Sequence, residues 1–189
     1  MTIETKRLLL RPVIKKDEED LAKALNNINI SKWIVPMPHP YKKKDAEWWI
    51  NNQIKKRKEK PRIDYHFAIE LKPNKRLIGV IGIFGFDKYK IKGELGYWLD
   101  QKYWKQGIMS EAIEKIIEFS FSKLKLKKIN LPIFAKNNSS NALAKKFGFK
   151  LEGKLRKNAR CQATNKIHDE NVWGLLKKEW PKIKKGLKK

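Results

Sequence analysis

The chain has 189 residues, 41% of them hydrophobic, which suits one domain with a substantial buried core. Its longest near-apolar run, Leu77 to Phe86, spans ten residues with three glycines and is too short to cross a bilayer. A single cysteine, Cys161, excludes an internal disulfide and a cysteine-rich zinc site, and 45 Lys and Arg against 20 Asp and Glu leave a net charge of +25.

In chain order, Arg7 to Val13 reads as a first strand, and Asp17, Leu21, Leu25 and Ile28 trace a helix after it. Three prolines make Trp33 to Pro40 a stiff loop, since each fixes φ and lacks an N–H. Asp45 is placed to cap a helix that carries Trp48, Trp49, Ile50 and Ile54. Tyr65–Leu71 and Leu77–Phe86 are consecutive strands joined by the turn-forming set Pro73-Asn74-Lys75-Arg76. A turn over Lys88–Lys92 leads into a strand at Glu94–Leu99, closed by Asp100.

The segment Tyr103-Trp104-Lys105-Gln106-Gly107-Ile108-Met109-Ser110-Glu111-Ala112 is a glycine turn opening an amphipathic helix. Ala112, Ile113, Ile116, Ile117, Phe119 and Phe121 supply the apolar face, and Glu111, Glu114, Lys115 and Glu118 the polar one. The first N–H groups of a helix lack intrahelical acceptors and carry the positive end of its dipole, so such a turn can cradle a phosphate. An ordinary strand-to-helix connection reads the same way. Next come a strand at Lys128–Ala135, a helix at Ser139–Phe147 that Asn138 and Ser139 begin and Gly148 ends, and strands at Phe149–Leu155 and Val172–Leu176. The polar stretch Asn158–Lys166 is expected to be the loop between those last strands.

Arg7-Leu8-Leu9-Leu10-Arg11-Pro12, Phe67-Ala68-Ile69-Glu70, Leu77-Ile78-Gly79-Val80-Ile81-Gly82 and Glu94-Leu95-Gly96-Tyr97-Trp98-Leu99 precede the glycine turn. Asn137-Asn138-Ser139-Ser140-Asn141 and Phe147-Gly148-Phe149-Lys150-Leu151-Glu152-Gly153 follow it. In this order and spacing the series resembles the GNAT superfamily of acetyl-CoA-dependent N-acetyltransferases, over about Thr5 to Trp180. Within it, the chain looks most like the branch that acetylates the N-termini of ribosomal proteins. The resemblance implies an α/β (α+β) domain over residues 1–180, followed by a basic tail over 181–189. Its mixed, mostly antiparallel sheet would splay between the fourth and fifth strands, with acetyl-CoA in the wedge.

By the same resemblance, the N–H groups of Gln106, Gly107, Ile108, Met109 and Ser110 hold the pyrophosphate. The strand ending at Leu99 pairs with the pantetheine amides, and Asn137 bonds the pantetheine arm. Ser140 sits near the leaving thiolate as the candidate acid, because Ala144 occupies the position where many members carry a tyrosine. Met109 replaces a usual small residue and fits only if its side chain turns into the core. An oxyanion-stabilising N–H is expected near Tyr97 or Trp98. Trp33, Met37 and Tyr41 are expected to line the acceptor groove, or simply to pack the second helix on the sheet.

Glu94 can take a proton through water, or can be a structural carboxylate paired with one of the many lysines. His168 and Asp169 can also face the acceptor, whereas His66 reads as a packing or surface residue. No metal is expected, since His39, His66 and His168 lack ligand spacing. Cys161 has no activating neighbour in the sequence and reads as incidental. With only a water-relayed base, an α-amine with a pKa of about 7.7–8.0 is a better acceptor than lysine at about 10.4, a difference of about 3–4 kcal/mol.

The charge admits two explanations, a compositional bias toward lysine or a field that draws polyanions, whether CoA, RNA or the ribosome. Lys42–Lys44 and Lys55–Lys58 are ordinarily solvated helix faces. The run Lys182, Lys184, Lys185, Lys188 and Lys189 is the best candidate for a contact arm. Acceptors compatible with the chain are a protein N-terminus or a small amine, and a third reading keeps the scaffold as an RNA- or ribosome-binding module. Without a signal-peptide-like hydrophobic block, the chain is expected in the cytoplasm, off the membrane, as a monomer or homodimer.

Overall fold

The apolar run after the Pro73–Arg76 turn becomes the centre of a sheet. In the computed structural model, which describes residues 1–86 and 89–187, strand β4 (Arg76–Phe84) is buried from Leu77 through Ile83. Covered on both faces, it needs no polar alternation. It pairs antiparallel with β3 (Tyr65–Leu71) and β5 (Lys92–Leu99). Beyond β3 lie β2 (Leu8–Pro12) and β1 (Ile3–Glu4); beyond β5 lie β6 (Lys128–Phe134), β8 (Ile167–Leu176) and β7 (Lys150–Arg160), completing eight strands. Every neighbouring pair is antiparallel except β5 and β6.

Helices α1 (Glu18–Leu25), α2 (Ile28–Ser31) and α3 (Lys43–Lys56) cover one face, where Leu21, Leu25, Ile30 and Ile50 pack on Ala68 and Val80. On the other face α4 (Ile108–Ser122) presents Ile113, Ile116 and Ile117 to Leu10, Ile69 and Leu95. There it is flanked by α5 (Asn138–Lys146) and α6 (Trp180–Leu187). Between the strands and α1, the Arg11 guanidinium donates to Asp17 at 2.7 and 2.8 Å and to Glu70 at 2.5 Å. These carboxylates hold its pKa well above the usual arginine value against the opposing cost of burial, with the Asp17 hydrogen bond the largest influence.

Five local expectations are corrected. Strand β1 was not expected. The helix expected from Asp17 to Ile28 breaks after Leu25, because Asn27 takes an extended conformation and its side chain accepts the Asn29 N–H at 3.0 Å. Asp45 sits inside the first turn of α3, not before it, and its carboxylate accepts the Lys42 N–H at 2.7 Å. Most of the polar stretch Asn158–Lys166 is a turn at 161–166, but β7 continues through Arg160. As an exposed edge strand β7 buries almost nothing, so it carries no alternation to read.

The fifth concerns the basic C-terminal run. It is helix α6, anchored through Trp180, Ile183 and Leu187, and Lys184 pairs with Glu118 at 2.5 Å. Its lysines face outward because the apolar residues recur at helical spacing. Lys188 and Lys189 lie outside the described residues, as does Lys88 of the expected Lys88–Lys92 turn. Among the described residues, no helix is long and apolar enough to cross a membrane.

Candidate active site

Strands β5 and β6 touch over only three register pairs, Lys92 with Lys128, Gly93 with Ile129 and Glu94 with Asn130. Beyond them β5 stays on β4 as far as Leu99, while β6 follows β8 to Phe134. Between the parting strands opens a cleft of about 1250 Å³, lined by residues 94–99 and 131–134. Backbone groups that face such a gap without a strand partner are ready to pair with a ligand. The Leu99 carbonyl is already engaged, since it accepts the Trp104 indole N–H at 2.8 Å.

One end of the cleft is built for an anion. Gly107 precedes α4 with φ of 74°, a conformation that glycine adopts without strain. A Cβ there would meet only the Arg7 Nη2, at 3.6 Å, so the backbone stands open. Arg7 braces the turn: its Nη1 donates to the Gln106 carbonyl at 2.9 Å and its Nε to Glu111 at 2.7 Å. The N–H groups of Ile108, Met109 and Ser110 precede the first intrahelical bond, from Glu111 to the Gly107 carbonyl. Lys146 reaches Ser110 Oγ at 3.2 Å and Lys105 lines the same end. The Met109 side chain is only 7% exposed and packs in the core, which removes the crowding that its size threatens. Gln106 does not line the cleft; its side chain donates to the Lys102 carbonyl.

In the middle, Asn137 caps α5. Its Oδ1 accepts the Ser140 N–H at 3.3 Å, leaving the amide Nδ2 to face a ligand. Ser140 lines the cleft, and Ala144, a turn further on, is buried. The Tyr97 hydroxyl is buried, with the Ser140 side chain as its neighbour. Burial pushes its pKa up to about 12, and the hydroxyl of Ser140 opposes that rise.

The far end lies on the α1–α3 face. Alternation along β5 puts Leu95, Tyr97 and Leu99 toward α4, so Glu94, Gly96 and Trp98 point the other way. Two glycines make room there for a floor of rings. A Cβ on Gly82 would meet His66 at 2.6 Å, and one on Gly96 would meet Phe84 at 3.0 Å. His66 and Phe84 stack at 5.1 Å, with Trp49 edge-on to His66 at 6.0 Å. Burial drives the His66 imidazole down to about 4, against the pull of Asp64, so it is neutral at pH 7. Trp33, Met37 and Trp48 form the opposite wall, and Trp48 is 68% exposed at the mouth. Glu94 and Glu170 line the same end.

The structure therefore gathers Glu94, Tyr97, Leu99, Gly107, Ile108, Met109, Ser110, Asn137, Ser140, Trp33, Met37 and Tyr41 around one cleft. Tyr41 is nearly all core, 5% exposed, and its hydroxyl is pushed up by burial and then by Asp45. His168 and Asp169 are not brought there. His168 stacks on Phe134 at 4.4 Å, while the Asp169 carboxylate accepts the Lys157 N–H and pairs with Lys154 at the surface. Alternation along β8 turns Asp169 to the face opposite Glu170, which lines the cleft; His168 shares the Glu170 face but is taken up by its stack on Phe134. Glu170, His66, Phe84 and Asp64 were missed by sequence reasoning. The glycines at 82 and 96 were the only available signal for the ring floor. Cys161 is fully buried against the Ser31 and Ile34 carbonyls, and no cluster of metal-ligating residues occurs among the described residues.

The family profile described as acetyltransferase (GNAT) domain matches residues 7–150. The uncharacterized N-acetyltransferase YoaA of Bacillus subtilis (strain 168) is 30% identical over 175 residues, covering 93% of this chain and 96% of that protein. The ribosomal-protein-serine acetyltransferase of Escherichia coli (strain K12) is 35% identical over 94 residues, half of each chain (50% and 51%). Among solved structures, RimL, a ribosomal L7/L12 alpha-N-protein acetyltransferase in complex with coenzyme A, superposes with a TM-score of 0.82 at 17% identity. That match covers 93% of this chain and 98% of RimL.

Proposed function

The chain belongs to the GNAT acetyltransferase family, and from that premise we propose that it moves an acetyl group from acetyl-CoA to a primary amine, foremost the N-terminal α-amine of a protein. The observation that carries this reading is the opening of β5 from β6 beside the free N–H groups that follow Gly107. The residues present fit acetyl-CoA: an open glycine turn among Arg7, Lys105 and Lys146, the Asn137 side chain at the cleft, and the neighbouring hydroxyls of Ser140 and Tyr97. Bound there, acetyl-CoA supplies an activated acyl carbon and a thiolate leaving group.

The N–H groups of Ile108, Met109 and Ser110 hold the pyrophosphate, and Asn137 Nδ2 steadies the pantetheine arm. Glu94 accepts the proton that the attacking amine loses, through water. A backbone N–H near Tyr97 or Trp98 faces the developing oxyanion. Ser140 gives the departing sulfur its proton, and Tyr97 behind it can restore that proton to Ser140. Amine nitrogen bonds to the acyl carbon, the carbon–sulfur bond breaks, and one proton passes from amine to Glu94 and one from Ser140 to sulfur. The ribosomal relatives support a protein acceptor.

Calorimetric titration with acetyl-CoA at low and high salt tests the reading. Micromolar affinity that persists at high salt is expected of a formed cofactor site. Affinity that vanishes with salt would mean lysines attracting any polyanion, and would favour the RNA-binding scaffold. Ser140→Ala should lower kcat by about tenfold to hundredfold with acetyl-CoA affinity unchanged, as loss of a proton donor does. Full activity in this variant would remove Ser140 from the mechanism.

Burial, then the charge of Glu170, raises the Glu94 pKa above the ordinary carboxylate value. Below that raised pKa both Glu94 and the amine must lose a proton, so kcat/KM should fall with a slope of two per pH unit. Between it and the amine pKa of about 8 the slope should be one. Glu94→Gln should leave a slope of one throughout the acid range; a profile identical to the wild type would exclude Glu94 as the base.

A further inference from the structure

Electrostatics sorts the cleft into two ends of opposite sign. Lys105, Lys146 and Arg7 ring the glycine turn, whereas Glu94 and Glu170 stand at the ring-floored end, where Lys56 is neutralised by Asp64; Lys136 also lines the cleft. In a chain with 45 Lys and Arg and only 20 Asp and Glu, surface carboxylates readily find cations. Eleven ion pairs occur among the described residues, and neither Glu94 nor Glu170 takes part in any of them.

Glu170 is instead fixed in place by a neutral donor, Asn158 Nδ2, at 2.8 Å. Pairing keeps both glutamates on one face: Glu94 lies opposite Asn130 of β6, and Glu170 opposite Phe134 of the same strand, an even number of residues apart. Their mutual repulsion shows in the raised Glu94 pKa, to which Glu170 adds after burial. Two like charges held together without a counterion cost stability. Such a cost is offset when the counterion comes from outside. The same cleft holds a buried polar atom that lacks a partner, His66 Nδ1.

We propose that Glu94 and Glu170 form a seat for the acceptor's ammonium group, and that Glu170 is the specificity-determining member of the pair, selecting cationic amines with no carboxylate beside the nitrogen. This rests on the N-acetyltransferase reading and narrows its acceptor class. A free amino acid carries its carboxylate two bonds from the amine, so seating it would bring a third negative charge against two. An N-terminal residue within a polypeptide has an amide carbonyl there and meets no such repulsion. The seat also resolves how a +25 protein accepts a cation, because the local field at the acceptor end is opposite in sign to the net charge. The seated ammonium gives its first proton to water as the pH approaches the amine pKa, and Glu94 takes the second, lost on attack, while Glu170 holds the nitrogen in place.

The test uses the CoA-saturated protein with two probes of nearly equal size, alaninamide (a cation) and alanine (a zwitterion), with binding read by calorimetry. Wild type should bind alaninamide about tenfold or more tightly than alanine. Glu170→Gln, which retains an acceptor for Asn158, should lose most of that preference while its CoA affinity stays unchanged. Glu94→Gln provides a second variant if the first fails to fold. Equal binding of the two probes by wild type, no detectable binding of either, or a preference that survives in the variants would each overturn the seat. Acetyl-CoA consumption with alaninamide is followed in parallel. Preference without turnover sustains the seat and sinks the α-amine acetylation reading; equal turnover of alaninamide and alanine without preference does the reverse.

Discussion

Gly107→Val is expected to weaken acetyl-CoA binding by about hundredfold or more while lowering thermal stability only slightly. The turn holds residue 107 at φ of 74°, and a side chain in that left-handed region costs roughly 1–2 kcal/mol, more for a β-branched residue. Steric collision is not the cause, since the nearest atom to an added Cβ is Arg7 Nη2 at 3.6 Å. The chain can relieve the strain by rotating the turn, and that rotation re-aims the N–H groups of Ile108, Met109 and Ser110. Each hydrogen bond from such a group to a charged phosphate is worth about 1.5–3 kcal/mol. Losing one or two of them accounts for the expected factor. Calorimetry with acetyl-CoA measures it, and a thermal melt checks the fold. Affinity equal to the wild type would mean that the pyrophosphate binds elsewhere.

Arg11→Ala is expected to produce the largest stability loss, about 3–5 kcal/mol, because it strands two carboxylates that are 3% and 13% exposed. Asp17 and Glu70 would face each other without a cation, where the guanidinium now bridges β2, β3 and the turn before α1. For a chain of this size that corresponds to a fall in Tm of about 6–20 °C. Urea unfolding at pH 7 measures the free energy directly. A variant as stable as the wild type would show that neighbouring lysines can replace the bridge.

Much of this fold is local in origin and could be read before any contact was known. The apolar stripe from Ala112 to Phe121 made α4 unmistakable, and the glycine at 107 marked where it starts. The run from Leu77 to Phe86 read as a strand beside the Pro73–Arg76 turn, and its pairing on both sides put it inside the sheet. Those features fix positions along the chain. They do not fix which strand lies beside which, or how far two neighbours remain paired.

The end of edge strand β7 illustrates the limit: Asn158 to Arg160 are ladder-bonded to β8 while mostly exposed, so they resemble a loop until β8 is present. Helix α6 is the converse case. Seven lysines in the last thirteen residues hide Trp180, Ile183 and Leu187, which only the surface around Gly148 and Phe149 makes into a buried face. At the site, Asp169 had the right chemistry and the wrong face, a matter of one residue on β8, and His168 was taken up by its stack on Phe134. The sequence by itself determined the strand and helix types, the glycine turn, the family resemblance and the net charge, because these depend on neighbours within a few residues. Tertiary structure alone decided how soon β5 and β6 part, after Glu94, the meeting of Glu94 with Glu170 across separate strands, and a negative acceptor end in a strongly positive protein. Each depends on which distant residues are brought together, and on a local field set by a handful of charges rather than by their sum.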